Sequence, residues 1–364
     1  MEKFFHLKEN GTTVSTEIMA GLTTFFAMSY IIIVNPQILS STGMPWGGVF
    51  LATIIAAIIG TLVMGLFANV PYAQAAGMGL NAFMAYTVVA GYGYSWQVAL
   101  FAVFIEGLIF IVLSLTNIRE AIFNAIPLTL KKGVSVGIGL FIAFIGLQNS
   151  GLCVDSATLV TIISFPENFH TAGICALLTL VGLFFTAVFY ARKMKGAILY
   201  GILLTWVLGM ICQVTGIYVP TPDAGFYSLF PSWGMTDFSK LGLTFGQCFN
   251  VDFSAVGIVN FIVVIFSFLF VDIFDTLGTL IGVATKAKML DKDGHLPGIK
   301  PALMADSIAT SAGAILGTST TTTFVESASG VAVGGRTGLT ALVTGILFLV
   351  STLFAPIFTA IPSF

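Results

Sequence analysis

Gly317-Thr318-Ser319-Thr320-Thr321-Thr322-Thr323-Phe324-Val325-Glu326-Ser327-Ala328-Ser329-Gly330 sets a threonine run and an acid inside a chain otherwise apolar enough for a bilayer. Threonine favours extended backbone because its branched Cβ stiffens χ1. A second stretch, Pro71-Tyr72-Ala73-Gln74-Ala75-Ala76-Gly77-Met78-Gly79-Leu80-Asn81-Ala82-Phe83, is also poor helix sequence, since each interior glycine costs a helix about 1 kcal/mol. Non-helical backbone survives at membrane depth only where it is buried in protein or lines a polar cavity. Each stretch therefore reads as a short extended piece followed by a half-helix, beginning near Asn81 and near Glu326. Each is also the third span of its half, counted from residue 17 and from residue 255. Interruptions at matching positions point to inverted repeats with a binding site between the breaks. Two weak, glycine-rich packing helices are the competing reading. Gly77-x-Gly79 is no dinucleotide loop, because no βαβ unit surrounds it.

The rest of the chain supports a membrane setting. Its 364 residues are 57% hydrophobic and only 8% charged, with a mean hydropathy of +1.01. A soluble domain carries about a quarter charged residues, so a cytosolic enzyme and a disordered chain are excluded. A formal charge of −2 offers nothing to a nucleic acid. The 39 glycines suit close helix packing in lipid. Met1–Glu17 is polar and is expected to carry no cleavable signal peptide. Cys153, Cys175, Cys212 and Cys248 lack metal or disulfide spacing and read as small apolar fillers. No cofactor or metal is expected.

A crossing helix needs about 20 apolar residues, which yields about eleven candidate spans. They are 17–35, 48–69, 73–90, 97–116, 131–149, 172–190, 196–217, 255–285, 299–317, 318–334 and 337–356. Ile118–Leu130 reads as an amphipathic segment at the interface, and the Pro-, Gly- and Asp-containing loop Tyr218–Phe253 divides the chain. With the N-terminus cytoplasmic, 13 of the 14 Lys and Arg residues fall inside and only Lys240 outside. The positive-inside rule gives that asymmetry only for the right span count and orientation.

Glu106, Asp272, Asp275, Asp306 and Glu326 lie within spans. An ionised side chain at the bilayer centre costs at least about 2.5–3.5 kcal/mol, so each is a functional candidate. Asp272 and Asp275 share a helix face with Thr276 and Thr279, and no Lys or Arg in the same spans neutralises them. An unpaired buried carboxylate takes up a proton more readily, which makes these groups candidates for proton coupling. Asp306 reads equally well as a structural hydrogen-bonder, and Glu106 as a brace between helices. Carboxylates accept from N–H groups, Asn81 both donates and accepts, and half-helix N-termini suit carbonyl or ring acceptors. Phenylalanine rings could stack on a flat guest. An uncharged heterocycle with several N–H donors fits better than an inorganic anion, which would call for arginine.

The run Phe270-Val271-Asp272-Ile273-Phe274-Asp275-Thr276-Leu277-Gly278-Thr279 resembles the eighth span of the AzgA-like purine nucleobase permeases, relatives of the nucleobase–ascorbate and uracil transporters. Gly77-Met78-Gly79-Leu80-Asn81-Ala82 and the Gly317–Ser327 stretch resemble the same family, in order and across nearly the whole chain. The resemblance implies an all-α polytopic fold of fourteen spans in two inverted sevens, with core and gate domains and short extended segments in spans three and ten. On this chain it implies a first core repeat over 1–117, a gate over 118–235 and a second core repeat over 236–364. It implies import of guanine, hypoxanthine or adenine, usually with protons, by a transporter of the plasma membrane rather than an enzyme. The binding residues it carries over are Gly79, Asn81, Asp272, Asp275 and Glu326. Asp272, Thr276, Thr279, Glu106 and Asp306 are the candidates for coupling or cavity lining. Asp275-x-x-Gly278-Thr279 stands where uracil transporters carry Glu-x-x-Gly-His, so Thr279 replaces a histidine.

The chain ends at Phe364 after about eleven spans. The last three gate helices that the resemblance implies are then absent, and these residues alone are expected not to transport. The expected partners are a purine nucleobase, protons and the lipid bilayer, with a second copy of the chain as a further candidate. An anion transporter of the same fold would want basic or donor-only groups near the breaks. An intramembrane aspartyl enzyme would want its two acids on separate helices, and a cation channel a ring of acids.

Overall fold

A computed structural model describes residues 2–116, 150–287 except 157–158, 195–196, 222–225 and 255, and 299–361 except 359. Between 117 and 149 and between 288 and 298 only scattered positions are described. The expected interfacial segment Ile118–Leu130 and the span at 131–149 therefore lie outside the described residues. The chain divides into two compact units, Met1–Val136 with Asp237–Leu353, and Gly137–Thr236 with Phe354–Phe364.

The first unit opens with α1 (Val14–Met28) and α2 (Ile31–Ser40). Thr13 caps α1, accepting from the Thr16 N–H. Between the two helices, at Ser29 and Tyr30, the backbone tightens to i→i+3 bonds, with the Ile32 and Ile33 N–H groups donating to the Ser29 and Tyr30 carbonyls. The chain continues through α3 (Trp46–Val63), β1 (Gln74–Ala76), α4 (Met78–Ala82) and α5 (Trp96–Leu115). After α4 the ladder widens to a π-type turn over Phe83–Gly91.

The second unit supplies the antiparallel pair β2 (Val154–Ser156) and β3 (Leu159–Thr161), then α6 (Ile174–Ala191) and α7 (Ala197–Val214). The first unit resumes with α8 (Ile258–Ala287), α9 (Ile299–Leu316), β4 (Thr321–Thr323), α10 (Ser327–Val333) and α11 (Gly338–Ser351). The protein is mostly helical, with short strands in the two stretches expected to be extended and one further small strand pair that was not expected.

Among the described residues six helical stretches are long and apolar enough to cross a bilayer: Val14–Ser40, Trp46–Ala68, Trp96–Leu115, Phe165–Ala191, Ile258–Ala284 and Gly338–Ile357. Helix α9 is too polar to qualify alone, and its Asp306, Ser307, Thr310 and Ser311 turn into protein. The large apolar side chains of α6, such as Leu183 and Phe184, stay exposed as a lipid-facing surface requires. Half of the expected loop folds into the first unit. Thr244 and Cys248 are fully buried there, and Thr244 Oγ1 donates to the Leu316 carbonyl at 2.9 Å. The four cysteines are free, three buried and Cys212 half-buried.

Small residues set the helix crossings. A Cβ at Gly338 would overlap the backbone of Gly65, and one at Gly107 on α5 would overlap Ser311 of α9. Because backbone meets backbone at Gly338, no rotamer change relieves an added methyl. Gly338→Ala is expected to cost about 1–3 kcal/mol as overpacking, read as a melting temperature several degrees lower in detergent. An unchanged melting curve would show that this crossing is loose.

Candidate functional site

Strands β1 and β4 pair antiparallel, with Gln74 opposite Thr323, Ala75 opposite Thr322 and Ala76 opposite Thr321. The Gly77 N–H extends the ladder to the Thr320 carbonyl, and the Phe324 N–H to the Ala73 carbonyl, both at 3.0 Å. Ser327 Oγ accepts from the Ala73 N–H at 3.0 Å. The two non-helical stretches thus satisfy one another, which is the condition for unwound backbone inside a membrane. Each strand feeds a half-helix, and the two helices begin at opposite ends of the pair.

Alternation along β4 decides where its hydroxyls go. Thr320 donates to Glu106 Oε2 at 2.7 Å and Thr322 to Asp275 Oδ2 at 3.1 Å. Thr323, on the other face, accepts from Gln74 Nε2 at 3.4 Å. The threonine run therefore spends two same-face hydroxyls on two acids from different helices.

Glu326 is the residue just before α10 and is half-buried, and its side chain makes no capping bond to the helix. Tyr30, at the tight step between α1 and α2, donates to its Oε1 at 2.6 Å. The Tyr30 and Phe324 rings lie 6.4 Å apart. Asp275 is also half-buried, and its charge reaches both Glu326 and Tyr30. Two acids and two aromatic rings thus gather beside the β4–α10 break.

A second, fully buried cluster lies behind. Thr276 Oγ1 is 3.0 Å from Asp272 Oδ1 and 2.9 Å from Asp306 Oδ1. Gln74 Nε2 donates to Asp306 Oδ1 at 3.5 Å. One hydroxyl hydrogen serves one short bond fully, so two ionised acids around Thr276 would leave one of its two contacts without a proton.

Asn81 falls elsewhere. Its Nδ2 donates to Asn35 Oδ1 at 2.9 Å, and Asn35 donates to Thr53 and Thr318 at 2.7 and 2.8 Å. This buried amide chain runs from α4 to the entry of β4, and Asn81 Oδ1 has no partner among the described residues. Gly79 is half-buried in the first turn of α4, where N–H groups precede the helical ladder. Thr279 is buried on the α8 face below Asp275. The sequence reading missed Tyr30, Gln74, Asn35, Thr320 and Thr322. It also missed Glu17, a fully buried acid that accepts from the Arg336, Thr337 and Thr340 N–H groups at the start of α11. Polar residues inside apolar spans were the available signal.

Residues 15–364 match the model of a family described as the Permease family. The chain belongs to that family. A putative permease of Methanocaldococcus jannaschii is 48% identical to the permease over 100% of this chain and 79% of its own length. The guanine/hypoxanthine permease PbuO of Bacillus subtilis is 46% identical over 98% of this chain and 79% of its own. The adenine permease AdeQ of Escherichia coli is 40% identical over 100% and 77%. The resemblance carried by the three motifs is thereby met, and the family is one of permeases rather than enzymes. With its apolar helices, the permease is a multi-pass membrane protein.

Among solved structures, the permease shares its fold with the transmembrane domain of a cyanobacterial bicarbonate transporter, BicA. That match has a TM-score of 0.60 at 15% identity and covers 96% of this chain and 85% of the other. Murine Slc26a9 in its inward-facing state matches at TM-score 0.59 and 13% identity, covering 96% and 57%.

Proposed function

We propose that the permease imports purine nucleobases of the guanine and hypoxanthine type, and that it does so by proton symport. The observation that carries this reading is the pairing of half-buried Glu326 and Asp275 with the Tyr30 and Phe324 rings at the β4–α10 break. Tyr30 donates to one oxygen of Glu326, and the half-buried carboxylate has further acceptor capacity for purine N–H groups. Two rings suit a flat bicycle. The first-turn N–H groups of α4, around Gly79, suit its ring acceptors. Relatives called guanine/hypoxanthine and adenine permeases support the substrate class.

The proton reading rests on Thr276. With one acid of the Asp272–Asp306 pair protonated, Thr276 donates to one carboxyl and accepts from the other, and both short contacts are satisfied. The transport cycle then moves a core, residues 1–117 with 236–364, against a gate that begins with residues 118–235, with the N-terminus cytoplasmic in the plasma membrane. Glu106 braces Thr320 in this scheme, and Asn81 holds the entry of β4.

Competition for radiolabelled hypoxanthine on the purified permease tests the substrate class. Guanine is expected to displace the label, while uracil, lacking the second ring, competes at least roughly 100-fold more weakly because polar groups are left unpaired. Uracil competing as well as guanine would overturn the purine assignment.

A further inference from the structure

A cavity of about 250 Å³ is lined by Val283 of α8, by Ala328, Val331 and Ala332 of α10, and by Arg336 just beyond that helix. Ala328, Val331 and Ala332 stand at i, i+3 and i+4 and so form one face. Ala328 is two residues past Glu326. The volume approaches the lower end for small-molecule sites, and the cavity presents polar as well as apolar surface.

Arg336 supplies the polar group. Its Nη1 donates to the Val331 and Gly335 carbonyls, both at 2.7 Å, which pins the guanidinium at the carboxyl end of α10. Both Nη1 hydrogens are thereby used. Nε and Nη2 donate to no protein atom among the described residues, so three N–H donors of a planar fork remain for a ligand. Among the described residues the walls of the cavity offer no side-chain acceptor.

From this arrangement we infer that the cavity is a second subsite for the same base, anchored by Arg336 and selective for 6-oxopurines. A guanidinium fork matches two adjacent acceptors in one plane, and guanine and hypoxanthine present O6 and N7 in that way. Adenine presents an amino donor in place of O6, so donor would face donor. The inference rests on the purine reading above and extends it to a site that Glu326 does not touch. A base leaving Glu326 would pass along one face of α10 and pause against the fork.

Thiol protection in detergent tests it, with Ala332→Cys placed in a background whose four cysteines are alanine. Saturating guanine or hypoxanthine is expected to slow methanethiosulfonate labelling about tenfold, the low end of bidentate discrimination, with adenine slowing it less than about twofold. The protection should persist when Glu326→Gln is added and vanish when Arg336→Gln is added. Loss of protection with Glu326→Gln would make the cavity part of the first site and overturn the inference. Inorganic phosphate protecting as well as guanine would also overturn it, by showing an anion site. If Arg336→Gln does not fold, Val283→Cys is labelled alongside Ala332→Cys, and guanine leaving both rates unchanged overturns the subsite. Equilibrium dialysis of guanine on the same protein separates the two claims. Purine bound with thiols unprotected defeats the subsite alone, and no purine bound defeats the functional reading and the subsite together.

Discussion

Glu326→Gln is expected to lower guanine affinity by roughly 100-fold or more while leaving the protein folded. A charge-assisted hydrogen bond is worth about 1.5–3 kcal/mol against roughly 1 for a neutral one, and replacing two of them removes about 3 kcal/mol. The glutamine carbonyl still accepts from Tyr30, whose hydroxyl is 2.6 Å from Oε1 in the parent. The melting temperature should therefore move little. Tyr30→Phe serves as the milder companion, because it frees the carboxylate without removing its charge. Calorimetric titration of guanine into the two variants checks both. Parent-like affinity in the glutamine variant would take Glu326 out of the site.

The second large effect concerns protons. Asp272→Asn is expected to flatten the pH dependence of purine uptake, because the asparagine amide supplies a permanent hydrogen to Thr276 Oγ1, now 3.0 Å from the carboxylate. The cluster then no longer needs a proton to satisfy its short contacts. Thr276→Val should disturb the profile as well, since it leaves buried carboxyl oxygens of Asp272 and Asp306 without their shared partner. Thr276→Ser, which keeps the hydroxyl, should restore it. Uptake measured from pH 5 to pH 8 in cells expressing each variant together with the further gate helices that the family implies gives the comparison. A pH profile unchanged in Asp272→Asn would place coupling on another acid.

Much of this architecture could be read from the residues alone. Hydropathy located the long helices because each exceeds the bilayer in apolar length. The threonine run and the Gly77-x-Gly79 stretch marked the two breaks because both resist helix formation for local, chemical reasons. What the two stretches do with each other could not be read. Gln74 and Thr323 are 249 residues apart, and no local pattern says that two isolated three-residue strands pair. The same limit hid Tyr30, an aromatic in an apolar span whose hydroxyl finds Glu326 only after α1 packs beside α10. It also hid the division of the acids into two groups. Asp272 and Asp275 share a helix, yet one turns to Thr276 and the other to Thr322. Nor could the residues alone say that the antiparallel pairing starts the two half-helices at opposite ends of the strands, or that Asn81 bonds Asn35. The pair at Val154–Ser156 and Leu159–Thr161 had no signal, being short and flanked by loop sequence.

The union of Gln74–Ala76 with Thr321–Thr323 also bears on how the polypeptide is made. Residues 74–76 emerge from the ribosome long before their mate exists: Thr61 can already serve the Gln74 N–H and carbonyl, but the strand partner opposite Ala75 is still missing. Bare peptide groups are costly in hydrocarbon, so the early segment is expected to wait in the aqueous insertion channel, or shielded by a chaperone, until threonine 321 is synthesised. Biogenesis would then close late and in one step, and ribosome stalling ahead of that codon should yield an intermediate readily cleared by quality-control proteases.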